Sequence, residues 1–200
     1  MVLVISADEI KKTLPDYSPD KAEVFHTESA RQADKLLTQA LKEGTFKEVI
    51  LLNGGTASGK TEFLSTHLMK KRAIIFDATL ATQLGAQNKI RQIQKAKKTP
   101  VVYSVIPDDL RRAFKAFLNR DRKFSDTHFY KTHSGSRKTL LWIAKNYPEL
   151  AIHIVESSYT SDQKLHFDQI QFTTRTYLVK YLIGKQQEEN DIISSVNFIK

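Results

Sequence analysis

Short runs of apolar residues alternate along the chain with longer segments in which apolar residues recur every three or four positions. The short runs predict buried strands, and the longer segments predict helices that pack on them. The predicted strands are residues 48–53, 73–77, 101–106 and 151–155. The predicted helices are residues 29–43, 61–71, 86–98, 136–147 and 169–184, with a further helix beginning after Pro107. This alternation predicts an α/β fold in three layers, with a mainly parallel sheet of four to five strands flanked by helices.

The segments between these elements do not indicate a boundary between domains. Residues 1–18 form a lead-in, Gly44 is expected to end the first helix, and residues 119–134 are polar and irregular. We therefore expect one domain, because 200 residues fit a single core and no linker or repeat interrupts them. It comprises the lead-in and first helix (1–45), a core (46–158) and a C-terminal helical extension (159–200).

One motif carries recognisable chemistry. The segment 54–61, GGTASGKT, fits the pattern G-x-x-x-x-G-K-[ST] and lies between a predicted strand and a predicted helix. In this pattern backbone N–H groups cradle phosphates, the lysine reaches the β and γ phosphates, and the hydroxyl after it ligates Mg²⁺. The motif predicts a P-loop NTPase fold that binds ATP with Mg²⁺. GTP is not expected, because the sequence contains no guanine-recognition motif. The predicted ATP-binding residues are Gly54, Gly55, Thr56, Ala57, Ser58, Gly59, Lys60 and Thr61.

A P-loop kinase also needs an acidic group that orients the acceptor hydroxyl. Asp77 ends the strand 73–77, where open α/β sheets place their ligands, and Thr79 follows it. Three roles are open to Asp77: catalytic base, Mg²⁺ ligand or both; a plain turn cap is the structural alternative. Asp77 and Thr61 are the predicted metal residues, and Asp77 and Thr79 are predicted to contact the acceptor.

The basic segment 119–134 is the best source of cations for the transferring phosphoryl group. Arg120 and Arg122 form the preferred catalytic pair, on a loop expected to close over the phosphates. His133 lies near the end of this segment and Arg137 follows it, and we predict that both contact the substrate.

Composition changes the picture in two respects. The chain has 31 Lys and Arg against 22 Asp and Glu, a net charge of +9, which suits either a polyanionic partner or a solvated basic surface. It has no Cys, which excludes disulfides, thiolate metal sites and a cysteine nucleophile.

No apolar run is long enough to cross a membrane, and the N-terminus lacks the features of a signal peptide. A cytoplasmic location with no membrane partner is therefore expected.

The ordered set of motifs resembles the zeta toxins, P-loop kinases of bacterial toxin–antitoxin systems. The resemblance covers about residues 20–157. The matching positions are the segments 25–30, 49–61 and 76–80, the pair Arg120 and Arg122, the dipeptide Thr132-His133, and Arg137.

This resemblance implies a specific reaction. Zeta toxins use ATP to phosphorylate the 3′-hydroxyl of UDP-N-acetylglucosamine and are held inactive by a small helical antitoxin. In the family the acidic residue and the threonine of the matched strand end contact the sugar nucleotide, which would assign that role to Asp77 and Thr79. Two features depart from the family: the strand with the family's catalytic aspartate is missing between Thr61 and Ala73, and Ala81 stands where an arginine is usual.

Three functions follow from these observations. The first is a zeta-like kinase with an alcohol group as acceptor, most simply on a nucleotide sugar. The second is a nucleotide-binding regulatory module without catalysis, which the missing aspartate motivates. The third is a kinase that acts on another nucleotide or a polynucleotide, which the charge motivates, although the sequence carries no nucleic-acid-binding motif.

Overall fold

A six-stranded sheet runs through the centre of the molecule. The computed structural model describes residues 2–43, 45–160 and 164–197. The strand order is β1-β3-β2-β4-β5-β6; neighbours among the first five pair in parallel, and β6 is antiparallel to β5. The strands are β1 (Leu3–Ser6), β2 (Glu48–Asn53), β3 (Ala73–Asp77), β4 (Thr99–Pro107), β5 (Ala151–Tyr159) and β6 (Leu165–Ile170).

Helices cover both faces of this sheet. They are α1 (Ala7–Lys11), α2 (His26–Glu43), α3 (Lys60–Phe63), α4 (Gln83–Lys95), α5 (Leu110–Leu118), α6 (Asp126–Asn146), α7 (Arg175–Gly184) and α8 (Glu189–Val196). Leu64–Leu68 extend α3 as a π-helical turn, and Pro19–Lys21 form a short 3₁₀ helix. None of the helices in the described ranges combines the length and the apolarity that a membrane span requires.

The alternation of side chains along the central strands divides the core into two parts. Val49 and Leu51 of β2 point to the face covered by α2, α4, α6 and α7, whereas Ile50 and Leu52 point to the face covered by α3 and its π-helical extension. All four side chains are fully buried. The apolar runs thus form buried strands because both faces of the sheet are covered, and the predicted three-layer α/β fold of the P-loop type is confirmed.

A smaller apolar cluster fixes the helices next to the basic loop. Phe114 and Phe117 of α5 pack on Phe129 of α6, and Ile192 and Val196 of α8 close the cluster. This packing explains one correction to the sequence analysis. Residues 119–134 are not irregular throughout, since α6 already begins at Asp126. Only residues 119–125 connect α5 and α6.

Two strands were not predicted from the sequence. β1 lies in the lead-in segment and pairs with β3 at the edge of the sheet, with Ser6 opposite Asp77. β6 occupies the start of the extension that was predicted to be helical, so α7 begins at Arg175 and not at 169. Both strands depend on partners distant in sequence, which a local pattern does not show. Gly44, the predicted end of the first helix, lies outside the described residues.

Candidate functional site

The segment 54–61 forms a tight turn between β2 and α3. Gly54 and Gly59 have φ angles of 142° and 90°, and Ala57 also has a positive φ of 59°. A Cβ on Gly54 would lie 2.5 Å from the carbonyl oxygen of Val105 on the neighbouring strand. Glycine is therefore required at position 54 for both its conformation and its closeness to β4.

His133 supports this loop from beneath. Its buried Nε2–H donates to the Thr56 carbonyl at 2.8 Å, and the neighbouring Thr132 hydroxyl accepts from the Thr56 N–H at 3.2 Å. Burial lowers the pKa of His133 to about 3, so the ring is neutral at pH 7. A Cβ on Gly55 would lie 2.4 Å from the same ring, which explains the second glycine of the motif. His133 does not line the cavity described next, so its predicted contact with substrate is replaced by a supporting role.

A cavity of about 260 Å³ opens above the loop at the carboxyl end of the sheet. Its walls are formed by the P-loop, the ends of β1 and β3, the first half of α2 and of α4, the starts of α1 and α6, and residues within 120–124. The charged side chains that line it are Asp8, Asp34, Lys60, Asp77, Lys89, Arg120 and Arg122.

Lys60 lies at the base of the cavity. Its Nζ donates to the carbonyls of Gly54 and Gly55, at 2.8 and 2.9 Å, so the ammonium is held over the loop. Burial lowers the pKa of Lys60, and the charge of Asp77 opposes that shift more than any other group. The lysine thus adds a positive charge, little hydrated, at the place where a phosphate would enter the loop.

Ser58 also indicates that an oxygen-rich ligand fits here. Its backbone carbonyl accepts a hydrogen bond from the Ser157 hydroxyl at 2.8 Å. Its own Oγ is buried and has no hydrogen-bond partner within the part of the chain that the structure describes. A buried hydroxyl without a partner is unfavourable, and a phosphate oxygen would satisfy it. The N–H groups in the first turn of α3 likewise have no partner within the helix.

Thr61 and Asp77 are the residues that could hold a magnesium ion. Both line the cavity. Across residues 2–43, 45–160 and 164–197 no group of three or more His, Cys, Asp or Glu is arranged to bind a metal. A hydroxyl and one carboxylate are too few for a protein-only metal site, but they suit Mg²⁺ that is also bound by substrate phosphates and water.

Asp77 is anchored where β3 ends. Ser6 of β1 donates from Oγ to its Oδ2 at 3.2 Å. Burial raises the pKa of Asp77, and the Lys60 charge counteracts this only in part. Thr79 lines the cavity two residues later, and its carbonyl accepts from the Gly54 N–H at 3.4 Å. The predicted pair Asp77 and Thr79 is therefore brought to the P-loop.

Both predicted catalytic arginines also line the cavity. Arg120 donates from Nη1 to the Thr56 hydroxyl at 3.2 Å, and burial lowers its pKa. Arg122 forms an ion pair with Asp8 at 2.5 Å. Arg120 is thus held at the P-loop, and Arg122 is held at the start of α1.

Arg137 lies elsewhere. It is buried on α6 and donates to the Lys185 carbonyl at 3.3 Å and to the Gln187 side chain. Burial lowers its pKa to about 10. Arg137 does not line the cavity, because it joins α6 to the connection between α7 and α8; its predicted contact with substrate is not supported by this position.

One wall of the cavity was not predicted from the sequence. Asp8 of α1 lines it, together with a cluster of three rings: Phe124 and His128 are stacked at 4.4 Å, and His26 meets His128 at 5.3 Å. Burial lowers the pKa of His128 to about 4, so this wall is neutral apart from Asp8 and Arg122. The one sequence signal for Asp8 was an apolar run immediately followed by acidic residues.

Comparisons with known proteins support the fold. No family model and no curated protein match the chain. Similar solved structures include the complex of AvrRxo1-ORF1 with AvrRxo1-ORF2 containing ATP, of which one chain superposes with a TM-score of 0.52 at 13% identity, covering 88% of this chain and 80% of that chain. The same complex with sulphate ions gives a TM-score of 0.52 at 11% identity, covering 84% and 73%. Its native form gives 0.51 at 14%, covering 88% and 81%.

The geometry and these comparisons define the class of fold. The chain has the three-layer architecture of a P-loop protein, with a glycine-rich loop opening a helix at the carboxyl end of a parallel sheet. At 11 to 14% identity the likeness to the AvrRxo1 complexes concerns the fold alone.

Proposed function

We propose that the protein is an ATP-dependent kinase that transfers the γ-phosphoryl group to a hydroxyl of a small molecule. The observation that carries this proposal is the continuity of the cavity. It joins the P-loop lysine, Lys60, to the acidic strand end at Asp77 and to both arginines, Arg120 and Arg122. A triphosphate bound at the loop and an acceptor bound at the strand ends would meet in this space.

The nucleotide end of the reaction rests on the motif segment 54–61. Backbone N–H groups of the loop, Lys60 and the buried Ser58 hydroxyl would hold the β and γ phosphates. A solved structure with a similar fold is described as containing ATP, which supports this choice of nucleotide. Thr61 and Asp77 would hold Mg²⁺, which supplies positive charge to the β and γ oxygens when it is bound.

The proposed binding of the acceptor depends on Asp77 and Thr79, which line the same cavity as Arg120 and Arg122. Asp77 and Thr79 would position the acceptor hydroxyl in line with the phosphoryl group. Arg120 already bonds to the loop at Thr56 and would stabilise the charge of the transferring group. The resemblance to the zeta toxins makes UDP-N-acetylglucosamine the first acceptor to test.

The experiment is phosphoryl transfer to a defined pool. The protein is incubated with ATP, Mg²⁺ and a mixture of nucleotide sugars and nucleosides, and products are identified by mass spectrometry. Lys60→Ala should abolish transfer, because it removes the charge over the loop. Lys70→Ala removes an exposed lysine in the turn after the π-helical extension of α3 and serves as the matched control, with transfer expected to equal that of the unaltered protein.

Each other result selects a different function. ATP binding without transfer to any acceptor in the pool would favour the non-catalytic nucleotide-binding module. Transfer to an oligonucleotide and not to the pool would favour the polynucleotide kinase, and its binding should then weaken steeply with salt. Transfer that survives intact in Lys60→Ala would contradict the proposed site.

We also propose that a second protein binds this chain. The similar solved structures are complexes of two proteins, and the resemblance to the zeta toxins implies a small helical antitoxin. Co-expression with the product of the adjacent gene and size-exclusion chromatography would test this. A complex that elutes as one peak is the expected result, and two separate peaks would contradict the proposal.

A further inference from the structure

The N-terminal strand brings a second carboxylate to the candidate site. β1 pairs in parallel with β3, with Ser6 opposite Asp77, so both strands end at the same edge of the sheet. The chain turns directly into α1, which begins at Ala7, and Asp8 enters the cavity from this turn. Ser6 joins the two ends through its hydrogen bond to Asp77.

The two carboxylates have different charge partners. Lys60 is the cation that most affects Asp77, whereas Arg122 is the one that most affects Asp8. Burial raises the pKa of Asp8, but Arg122 and Lys11 together outweigh it and hold the pKa below its ordinary value. Asp8 is therefore an ionised carboxylate facing the cavity, whereas the charge of Asp77 is balanced mainly by Lys60 of the P-loop.

Lys11 explains why an ionised group is held there. Its side chain is completely buried, its Nζ lies 3.4 Å from Asp8, and it lies over the Phe124 ring at 4.7 Å. Burying the ammonium group of a lysine without a charged partner would destabilise the fold, because the group loses its hydration. Lys11 is fixed behind Asp8 on the same helix, so Asp8 keeps one cation even when Arg122 moves away.

Arg122 is the group placed to move. It lies in the connection of residues 119–125, lines the cavity and forms an ion pair with Asp8. A triphosphate would add several negative charges to the same cavity, and a guanidinium binds phosphate oxygens in two-point fashion. A nucleotide bound at the P-loop would therefore compete with Asp8 for the guanidinium of Arg122.

We propose that Asp8 is the carboxylate that binds the acceptor hydroxyl and receives its proton, with Arg122 leaving Asp8 for the transferring phosphoryl group. This rests on the proposed kinase function. The acceptor oxygen forms a bond to the γ-phosphorus while the bond from that phosphorus to the β,γ-bridging oxygen breaks. The proton of the hydroxyl passes to the Asp8 carboxylate and then to water, and ADP leaves.

The test is Asp8→Asn, which keeps the shape of the side chain and removes its charge. The assay uses the pool of nucleotide sugars and nucleosides with radiolabelled ATP and Mg²⁺, and ATP affinity is measured separately with a fluorescent ATP analogue. We expect kcat to fall about 10²- to 10⁴-fold, the usual contribution of a general base, while ATP affinity changes less than about threefold. Glu9→Gln is the matched control, since Glu9 is the exposed neighbouring carboxylate, paired with Lys12, and transfer should be unchanged.

A second pair of variants separates catalysis from folding. Asp8→Asn leaves the buried Lys11 without its carboxylate, so Asp8→Asn/Lys11→Met removes both charges together. Transfer should remain as low in this double variant as in Asp8→Asn, and Lys11→Met alone should transfer within about tenfold of the unaltered protein, the range of a modest local rearrangement.

The outcomes are distinct. Transfer by Asp8→Asn within threefold of the unaltered protein, together with loss in Asp77→Asn, would overturn the assignment and leave Asp77 as the proton acceptor. Loss of ATP binding in Asp8→Asn/Lys11→Met would overturn it too, because Asp8 would then serve the nucleotide site. If the unaltered protein binds ATP but neither phosphorylates the pool nor releases ADP, the kinase function itself fails, and the role of Asp8 falls with it.

Discussion

The contact between Gly55 and His133 yields a prediction about stability that needs no nucleotide. A methyl group at position 55 would lie 2.4 Å from Cγ and Nδ1 of the ring, well inside van der Waals distance. The ring has little room to retreat, since it packs on Phe129 with centroids 4.3 Å apart and donates to the Thr56 carbonyl. Overpacking of a fixed core costs about 1–3 kcal/mol. Gly55→Ala should therefore lower the free energy of unfolding by that amount, or Tm by about 2–12 °C in a chain of this size.

A double-mutant cycle tests the cause. His133→Ala is itself destabilising, because it leaves a void and an unpaired Thr56 carbonyl, but in that background Gly55→Ala should cost almost nothing. The expected coupling is about 1–3 kcal/mol, measured by urea unfolding followed by circular dichroism. Gly184→Ala is the control, since a Cβ there meets no atom within 4 Å and alanine favours the helix. Equal costs of Gly55→Ala in both backgrounds would refute the argument that the ring is the obstacle.

Three further predictions concern charge and close packing. His133→Gln keeps a hydrogen-bond donor for the Thr56 carbonyl but removes the titrating ring. In the folded protein the pKa of His133 is about 3, below its ordinary value. The neutral ring therefore stabilises the fold at pH 7, and this stabilisation is lost as pH falls. From pH 7 to 5 the unaltered protein should lose about 2 kcal/mol more than this variant in urea unfolding, and parallel losses would contradict the prediction. Asp77→Asn should abolish transfer, because it removes the carboxylate that lines the cavity beside Lys60, and it should also lower Tm in calorimetry, because it leaves the buried ammonium of Lys60 without its main countercharge; transfer equal to that of the unaltered protein would disprove this. Gly135→Ala places a Cβ 2.4 Å from the Ala81 carbonyl oxygen and should cost about 1–3 kcal/mol in thermal unfolding, whereas an unchanged Tm would show that α6 can shift.

Local sequence patterns were sufficient for the centre of the fold and insufficient for its edges. β2 and β3 are continuous apolar runs that both faces of the sheet bury, so their position follows from the residues themselves. β1 has only four residues, and its place depends on pairing with β3, about seventy positions later in the chain. The early start of α6 likewise depends on Phe129 reaching Phe114 of α5, at 5.0 Å between ring centroids.

The candidate site divides in the same way. The motif 54–61 and the strand end at Asp77 could be predicted, because the backbone geometry of a glycine-rich loop and the edge of a parallel sheet are encoded locally. His133 and Arg137 were predicted as substrate contacts from their place beside the basic segment and from the resemblance to the zeta toxins. Both lie on the same face of α6, one turn apart, and this places His133 under the loop and Arg137 next to Lys185.

The position of β1 also shows how the site gains a second carboxylate, although the strand that carries the catalytic aspartate of the zeta toxins is missing between Thr61 and Ala73. The segment between Thr61 and Ala73 is too short for an additional strand, and the structure has the π-helical turn Leu64–Leu68 there instead. The edge of the sheet beside β3 is nevertheless occupied, by a strand from the other side of the P-loop in the sequence. A parallel neighbour of β3 ends at the same edge wherever it comes from in the chain, so it delivers the residue that follows it to the same cavity. Asp8, the second residue after β1, reaches the cavity in this way, and the short distance between Thr61 and Ala73 therefore does not limit the site to a single carboxylate.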